Sequence, residues 1–471
     1  MQPKKTIFYE LNEVPRRIFE HFAKLPEMNA LGRLAAHARK YETVAEDTGH
    51  LSPWITWPTL HRGVINEEHG ISDFGMDLSH VNRELPPIWS LLKNAGKKVG
   101  VFGSLHSYPL PADANEYAFF VPDTFAAGPE CFPQKYEAFQ QFNISMVEQN
   151  ALNVKSGIPL RGAVDFLRRA PGLGLRPATV GKIGKQLASE RIIKDRIVRR
   201  RTSQTQIAFD FFLQALAADK PDASFFFTNH VASSMHRYWP ALFPQDYEAG
   251  RFSEDWASQW AGEIPFAIRE ANSQLSDLMR FCDRNPGFQL VVTTSMGQAA
   301  VEDRKPVNTA VTISNLSRLM AAMGLAEGEW DRRPSMAPQY NVWVSEDARQ
   351  RLVQKLGALD IGGHHIDVQD LGSGVLRLEL KAENIDDLVV TFEGDKVDPG
   401  SFGFTNLHLQ DAAGANAYHI PEGLMMIYDP QDLGERSEFE SHRISTTEVA
   451  PSILQAFGVD RPGYMRAPQP L

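Results

Sequence analysis

Cysteine is nearly absent from this chain of 471 residues, which contains only Cys131 and Cys282. Two widely separated thiols cannot form a disulfide framework or a cysteine-rich zinc site, so we expect ordinary buried side chains in a reducing compartment. No apolar run approaches the length needed to cross a bilayer. Positive charge is not in excess either, since 48 Lys and Arg stand against 58 Asp and Glu, a net charge of −10. Non-specific adhesion to nucleic acid is therefore not favoured.

The remaining composition is that of an ordinary globular protein, with 43% hydrophobic and 23% charged residues. The length suits either one large α/β domain with insertions or two domains. The N-terminus enters a short apolar strand with no signal-peptide core before it, so we expect a cytoplasmic protein.

Strand and helix patterns alternate along most of the chain. Buried strands are predicted at residues 5–11, 99–103, 224–227 and 289–292, and a helix at 86–95. This alternation predicts an α/β fold with a doubly wound, mostly parallel sheet. Ligands bind at the carboxyl ends of the strands in such sheets. Asn12 and Glu13, directly after the first strand, are therefore placed to bind a substrate.

Two stretches depart from this pattern and predict insertions. Residues 151–205 are rich in Arg and Lys and predict a helical cap, whose charges form either an ordinary solvated surface or a basic lid over an anionic substrate. Residues 344–406 contain short alternating strands and predict a small α+β module. The core α/β fold then comprises residues 1–150, 206–343 and 407–471.

Four segments resemble the alkaline phosphatase superfamily, more specifically its type I phosphodiesterase and nucleotide pyrophosphatase branch. Residues 54–59 look like the family's nucleophile segment, in which a hydroxyl residue precedes an aromatic residue and a proline. Residues 68–74, 418–424 and 444–454 are similar to its His-Gly-Ile stretch, its His-Arg-Pro-Glu-Gly segment and its closing helix. The resemblance implies an alkaline phosphatase-like fold in which Thr56 is the nucleophile and His419 is a metal-binding histidine.

Most metal-ligand positions of that family carry other residues here. Its enzymes use two metal ions that clamp the phosphoryl group and activate the nucleophile. By the resemblance, Asn12, Ser295 and Met296 stand where the family has aspartate, aspartate and histidine, and Ala232 replaces a further aspartate. Hydroxyl and thioether groups are poor zinc ligands, and a neutral amide is a weaker ligand than a carboxylate. We therefore expect no dinuclear site.

One histidine of the family's DxxxH stretch is retained, as His236. Together with His419 it offers two imidazoles, which hold an ion only if another residue contributes. By sequence the nearest candidates for that third ligand are His230 and Glu13. We expect no cofactor, or at most a single divalent ion at His236 and His419.

Further polar residues near these motifs are candidates for substrate binding. Arg62 follows the nucleophile segment and carries a guanidinium fork suited to an anionic group. His106 lies just beyond a predicted strand, and Ser295 and Gln298 flank a predicted tight turn. With Asn12 and Glu13 they complete the predicted binding set.

These residues together predict a divergent superfamily member that binds a phosphate-containing small molecule, such as a nucleotide, a nucleotide sugar or a sugar phosphate. Thr56, His236 and His419 are the catalytic candidates, in a metal-independent group transfer or another phosphoester-processing reaction. Two alternatives stay open: a catalytically inactive binding or scaffold protein, and a metal-dependent phosphodiesterase with an unusual ligand shell.

Overall fold

The structure is a computed structural model that describes residues 3–150, 170–301, 307–335, 338–409 and 414–469. Its main sheet contains the strands β1 (Lys5–Leu11), β2 (Arg39–Val44), β3 (Val99–Phe102), β4 (Phe119–Val121), β5 (Ala223–Thr228), β6 (Phe288–Thr293), β18 (Glu422–Tyr428) and β19 (Ile444–Ser445). Their order is β19-β2-β18-β6-β1-β5-β3-β4, and β18 is antiparallel to both of its neighbours while the other pairs are parallel. The predicted α/β fold with a mostly parallel sheet is confirmed.

The helices in the described residues are α1 (Arg16–Ala23), α2 (Asn29–His37), α3 (Pro53–Arg62), α4 (Asn66–His69), α5 (Ser79–Glu84), α6 (Ile88–Asn94), α7 (Glu137–Asn150), α8 (Pro177–Ile192), α9 (Arg200–Asp219), α10 (His230–Leu242), α11 (Glu254–Trp260), α12 (Glu263–Arg284), α13 (Leu316–Ala322), α14 (Glu346–Gly357) and α15 (Thr446–Ala456). Among them, none is both long enough and apolar enough to cross a membrane.

Helices cover both faces of the main sheet because its central strands are apolar on both sides. In β1, Ile7 and Tyr9 belong to one buried cluster, with α1, α2, α9, α10 and α12. Phe8, between them, belongs to the other cluster, with α3, α6 and α15. Successive strand side chains point to opposite faces, so a strand buried on both sides needs apolar residues at every position. This layering leaves the carboxyl ends of the strands as the polar edge.

A smaller module with its own core projects from the main fold. It contains β8 (Thr309–Ile313), β9 (Trp330–Arg333), β10 (Gln339–Val344), β11 (Leu359–Ile361), β12 (Asp367–Gly372), β13 (Val375–Glu379), β14 (Val390–Phe392), β15 (Asp395–Val397) and β16 (Phe404–His408). Antiparallel β8 and β16 form the stem by which the chain enters and leaves, with Ile313 opposite Phe404. The module therefore begins upstream of the predicted boundary at residue 344, because β8 already packs into its core.

Part of the predicted cap lies outside the described residues, at 151–169. The described part contains α8, and four of its cations form ion pairs: Arg176 with Asp210 and Asp277, Lys182 with Glu270, Arg199 with Glu263, and Arg200 with Glu190. Three of these cations pair with acids of α9 or α12 and hold the cap against the main fold. For these four side chains the geometry favours a structural role over that of a basic lid.

Candidate functional site

Glu13, His236 and His419 come together at the carboxyl edge of the main sheet. Glu13 follows β1, and His236 lies on α10, the helix that follows the neighbouring strand β5. His419 lies on β17 (Ala417–Ile420), which pairs with β7 (Gly297–Ala300) directly after β6. His419 is the register partner of Gln298 in that pair. Three segments far apart in the sequence therefore supply one polar cluster.

The Glu13 carboxylate is the centre of this cluster. Its Oε2 lies 2.9 Å from Nε2 of His236 and 3.4 Å from Nε2 of His419, and it also accepts a hydrogen bond from the Gln298 amide. Its Oε1 accepts a hydrogen bond of 2.7 Å from the Asn12 amide. The Glu13 side chain is 2% exposed, whereas that of His236 is 24% exposed. The cluster is thus buried at the carboxylate and open at one imidazole.

Glu13 occupies an uncommon backbone conformation, with φ at 58°. A residue with a side chain is disfavoured in this left-handed region, and such conformations collect at functional sites. Burial alone would raise the pKa of this carboxyl, but the adjacent His419 and His236 outweigh burial and hold its pKa well below the usual value. Glu13 is therefore a buried carboxylate that stays ionised.

Backbone carbonyls orient both imidazoles. Nδ1 of His236 lies 2.7 Å from the Ala417 carbonyl oxygen, and Nδ1 of His419 lies 2.7 Å from that of Leu51. A carbonyl oxygen can only accept, so each Nδ1 carries the donated hydrogen. Each Nε2 is thereby directed towards Glu13. This arrangement fixes the tautomer and the ring orientation, as backbone partners do for metal-binding histidines.

Thr56 lies at the same edge, in the first turns of α3. Its hydroxyl donates to the Ser52 carbonyl at 3.2 Å and lies 2.8 Å from the Ser295 hydroxyl. The next residue, Trp57, donates from Nε1 to the Asn12 side chain at 2.8 Å, and Asn12 contacts Glu13. Thr56 is fully buried. A substrate can therefore reach it only if neighbouring side chains move.

Neutral, closely packed side chains occupy the positions at which the resemblance places missing metal ligands. Asn12 is 1% exposed, and Ala232, Ser295 and Met296 are fully buried. The Asn12 amide oxygen accepts from Trp57, and its nitrogen donates to Asn229 at 2.8 Å. These contacts replace charge with hydrogen bonds and apolar packing.

Gly297 allows β7 to approach the rest of the site closely. A Cβ atom at this position would lie 2.3 Å from the Glu422 carbonyl oxygen. Because that neighbour is backbone, Gly297→Ala is expected to lower the free energy of unfolding by roughly 3 kcal/mol, measured by urea denaturation. Gly357→Ala is the matched control, since no atom lies within 4 Å of the added methyl group there. Equal denaturation midpoints for the two variants would contradict the expectation.

Three other sequence candidates do not join the cluster. Arg62 is buried and donates to the Leu85 carbonyl and, at 2.7 Å, to Asn82; burial lowers its pKa to about 10. His106 lies 2.9 Å from the Trp54 carbonyl, and burial lowers its pKa to about 3. His230, considered as a third ligand, instead contacts Thr228 and Ala267 through its two ring nitrogens. All three side chains are committed to internal contacts.

Two residues beside the cluster, Tyr418 and His50, are not among the sequence-predicted site residues. Tyr418 has its ring centroid 4.2 Å from that of His419 and 5.8 Å from that of His236. Its hydroxyl lies 3.1 Å from Nε2 of His50, an exposed residue. Tyr418 adjoins His419 in the sequence, which is a usable signal, but nothing in the sequence around His50 distinguishes it from an ordinary loop histidine.

Comparison with known proteins gives distant structural likenesses only. No protein family and no curated protein matches the sequence. Among solved structures, murine ectonucleotide pyrophosphatase/phosphodiesterase 5 is 12% identical with a TM-score of 0.43, covering 98% of each chain. Phosphonoacetate hydrolase from Sinorhizobium meliloti 1021 is 12% identical with a TM-score of 0.41, covering 97% of this chain and 96% of that one. A mutant of the alkaline phosphatase PafA is 12% identical with a TM-score of 0.44, covering 100% of this chain and 98% of that one.

Proposed function

We propose that this protein is a phosphoester-processing enzyme, a divergent member of the alkaline phosphatase superfamily, with its reaction centre at Glu13, His236 and His419. The observation that carries the proposal is the convergence of these side chains at the carboxyl edge of the sheet, beside Thr56. Ligands bind at this edge in open α/β sheets. The phosphate-containing substrate is a small molecule such as a nucleotide, a nucleotide sugar or a sugar phosphate.

The proposed roles of His236 and Thr56 follow from their positions in the site. His236 is the most exposed member of the cluster and meets the phosphoryl group first. Thr56 accepts the phosphoryl group: a bond forms between its Oγ1 and phosphorus as the bond to the leaving oxygen breaks, and the hydroxyl proton is transferred to that leaving oxygen. Water or an acceptor hydroxyl then attacks the phosphorus, the bond to Oγ1 breaks, and the proton of the attacking group returns to Oγ1. The first turn of α3 carries the positive end of the helix dipole, which stabilises an anion there.

The two histidines provide the test. Turnover is expected on a panel of phosphomonoesters, phosphodiesters and nucleotide sugars, and His236→Ala and His419→Ala are each expected to lower kcat/KM by roughly 100- to 1,000-fold, because each removes a preorganised charge-stabilising group. His408→Ala is the control, since His408 is exposed on the smaller module. Turnover unchanged by both cluster variants would refute the assignment of the reaction centre.

One observation favours a second candidate, a binding protein without catalysis. The packed, neutral Asn12, Ser295 and Met296 provide no ionised group to stabilise charge in a transition state. Saturable binding of a nucleotide by calorimetry, with no turnover of that nucleotide or of any other ester on the panel, would support this candidate and exclude the enzyme.

A further inference from the structure

We propose that Glu13, His236 and His419 bind one divalent transition-metal ion, with Glu13 supplying the carboxylate that Ala232 cannot. The inference deepens the proposed function of the same site and rests on it for any catalytic meaning. Its own test is metal binding, which needs no substrate. Glu13 follows β1, whereas Ala232 lies on α10, so the carboxylate enters the site from a different element of the fold.

The orientation of the two imidazoles is the first argument. With each Nδ1 donating to a carbonyl, each Nε2 points towards Glu13 Oε2. Two ring nitrogens that face a carboxylate oxygen at 2.9 and 3.4 Å need positive charge among them, which either protons on the rings or one bound cation supply. No Lys or Arg forms an ion pair with Glu13 among the described residues. One cation bound by all three atoms supplies this charge and uses every one of the three converging atoms as a ligand.

The spacing of the donor atoms fits such an ion. One ligand atom from each of the three residues can be chosen so that all lie within 4.8 Å of one another. Ligands about 2.0–2.2 Å from a tetrahedral zinc ion lie roughly 3.3 Å apart. The separations of 2.9 and 3.4 Å from Glu13 to the histidines fall on either side of that value.

Gln298 supplies a further, independent observation. It is 1% exposed, and its Oε1 has no hydrogen-bond partner among the described residues although its Nε2 donates to Glu13. A buried acceptor without a donor costs free energy unless water or a ligand satisfies it. A water molecule on a metal ion is a strong donor for such an oxygen. The unsatisfied acceptor thus belongs to the same side chain that orients Glu13.

The neutral, closely packed side chains of Asn12, Ser295 and Met296 limit the site to one ion. A second ion of the kind the family uses would need ligands at Asn12, Ser295 and Met296. The Asn12 amide oxygen is occupied by Trp57, the Ser295 hydroxyl contacts Thr56, and the Met296 thioether is buried. None of the three provides negative charge, so a second divalent cation has no compensation there.

The donor set indicates the class of metal. Two imidazoles and one carboxylate suit zinc and other first-row divalent ions, and the same combination holds zinc at catalytic sites that keep an open fourth position. A bound ion supplies Lewis-acid polarisation of a phosphoryl oxygen. The chain itself supplies the orientation, since Asn12 and Gln298 fix Glu13 and two carbonyls fix the histidines.

Metal stoichiometry is the test. The full-length protein is stripped with a chelator and titrated with Zn²⁺ by calorimetry, and with Co²⁺ by absorption spectroscopy, which reports imidazole coordination. We expect one ion per chain in both titrations. No binding, or two ions per chain, would overturn the proposal.

Variants identify the ligands. Glu13→Gln keeps the shape of the side chain and is expected to weaken Zn²⁺ binding at least about 100-fold, because even partners outside the ligand set contribute 10- to 100-fold. Glu27→Gln, at an exposed position, is the control for loss of one charge. His236→Gln serves as a second variant, since His236 is the most exposed of the three and tolerates substitution best. Unchanged affinity in both would refute the ligand assignment.

Parallel turnover assays separate this inference from the proposed function. One ion per chain without turnover leaves the metal site standing and refutes the enzyme. Turnover that survives in the metal-free protein leaves the enzyme standing and refutes the metal site's catalytic role.

Discussion

Thr56→Ala is expected to lower phosphoester turnover by at least about 1,000-fold, which corresponds to about 4 kcal/mol of transition-state stabilisation. The physical reason is that the alanine variant has no oxygen to accept the phosphoryl group, while the fold around it remains. Thr56→Ser keeps the hydroxyl and is expected to retain turnover within about tenfold. The measurement is kcat/KM on the best ester of the panel.

The enclosed position of Thr56 makes this comparison informative. Its hydroxyl is buried and contacts Ser52 and Ser295, so a purely structural role predicts that Thr56→Ala loses stability in urea denaturation while the folded fraction keeps its kcat/KM. Thr405→Ala removes a hydroxyl from an exposed position on the smaller module and serves as the control. Wild-type turnover in Thr56→Ala would show that the hydroxyl only supports packing, and attack by water would replace it.

The sequence located the members of the cluster better than it described their contacts. Asn12 and Glu13 follow a recognisable buried strand, and two separate segments indicate His236 and His419, so the placement of these residues near the carboxyl edge of the sheet could be predicted. The turn of Glu13 towards both histidines depends on its left-handed φ of 58° and on the Gln298 amide. Neither the backbone angle nor the amide contact has a local sequence pattern. A glutamate beside an asparagine looks like any strand end.

Arg62 shows why proximity in sequence misleads on a helix. It lies six residues after Thr56 on α3, and at 100° per residue its side chain is rotated by about 240° from that of Thr56. It therefore faces the Leu85 carbonyl and not the cluster.

The boundary of the smaller module also differs from the predicted one. From its sequence alone, β8 could be another strand of the main sheet, and only its pairing with β16 shows that it belongs to the smaller module.

Acidification is expected to destabilise the protein steeply below about pH 6.5, even without any change at the cluster. Burial lowers the pKa of His69 and of His106 to about 3 and that of His230 to about 4, all from 6.5. In each case the folded-state pKa lies below the unfolded value, so the unfolded chain binds more protons between the two. The stability contributed by the neutral rings is complete above pH 6.5 and falls as pH decreases, by up to about 1.4 kcal/mol per pH unit for each histidine.

The three histidines can be separated by substitution. His106 has φ at 58°, which asparagine tolerates better than other residues, so His106→Asn removes one titrating group with limited backbone strain. Urea denaturation between pH 7 and pH 4.5 is expected to give a slope of stability against pH that is shallower by about 1 kcal/mol per unit than in the wild type. His80→Asn, at an exposed position, should leave the slope unchanged. An equal slope in His106→Asn would mean that the buried ring is not neutral, and the acid sensitivity would then have to come from the remaining buried histidines or from carboxylates paired in the folded state.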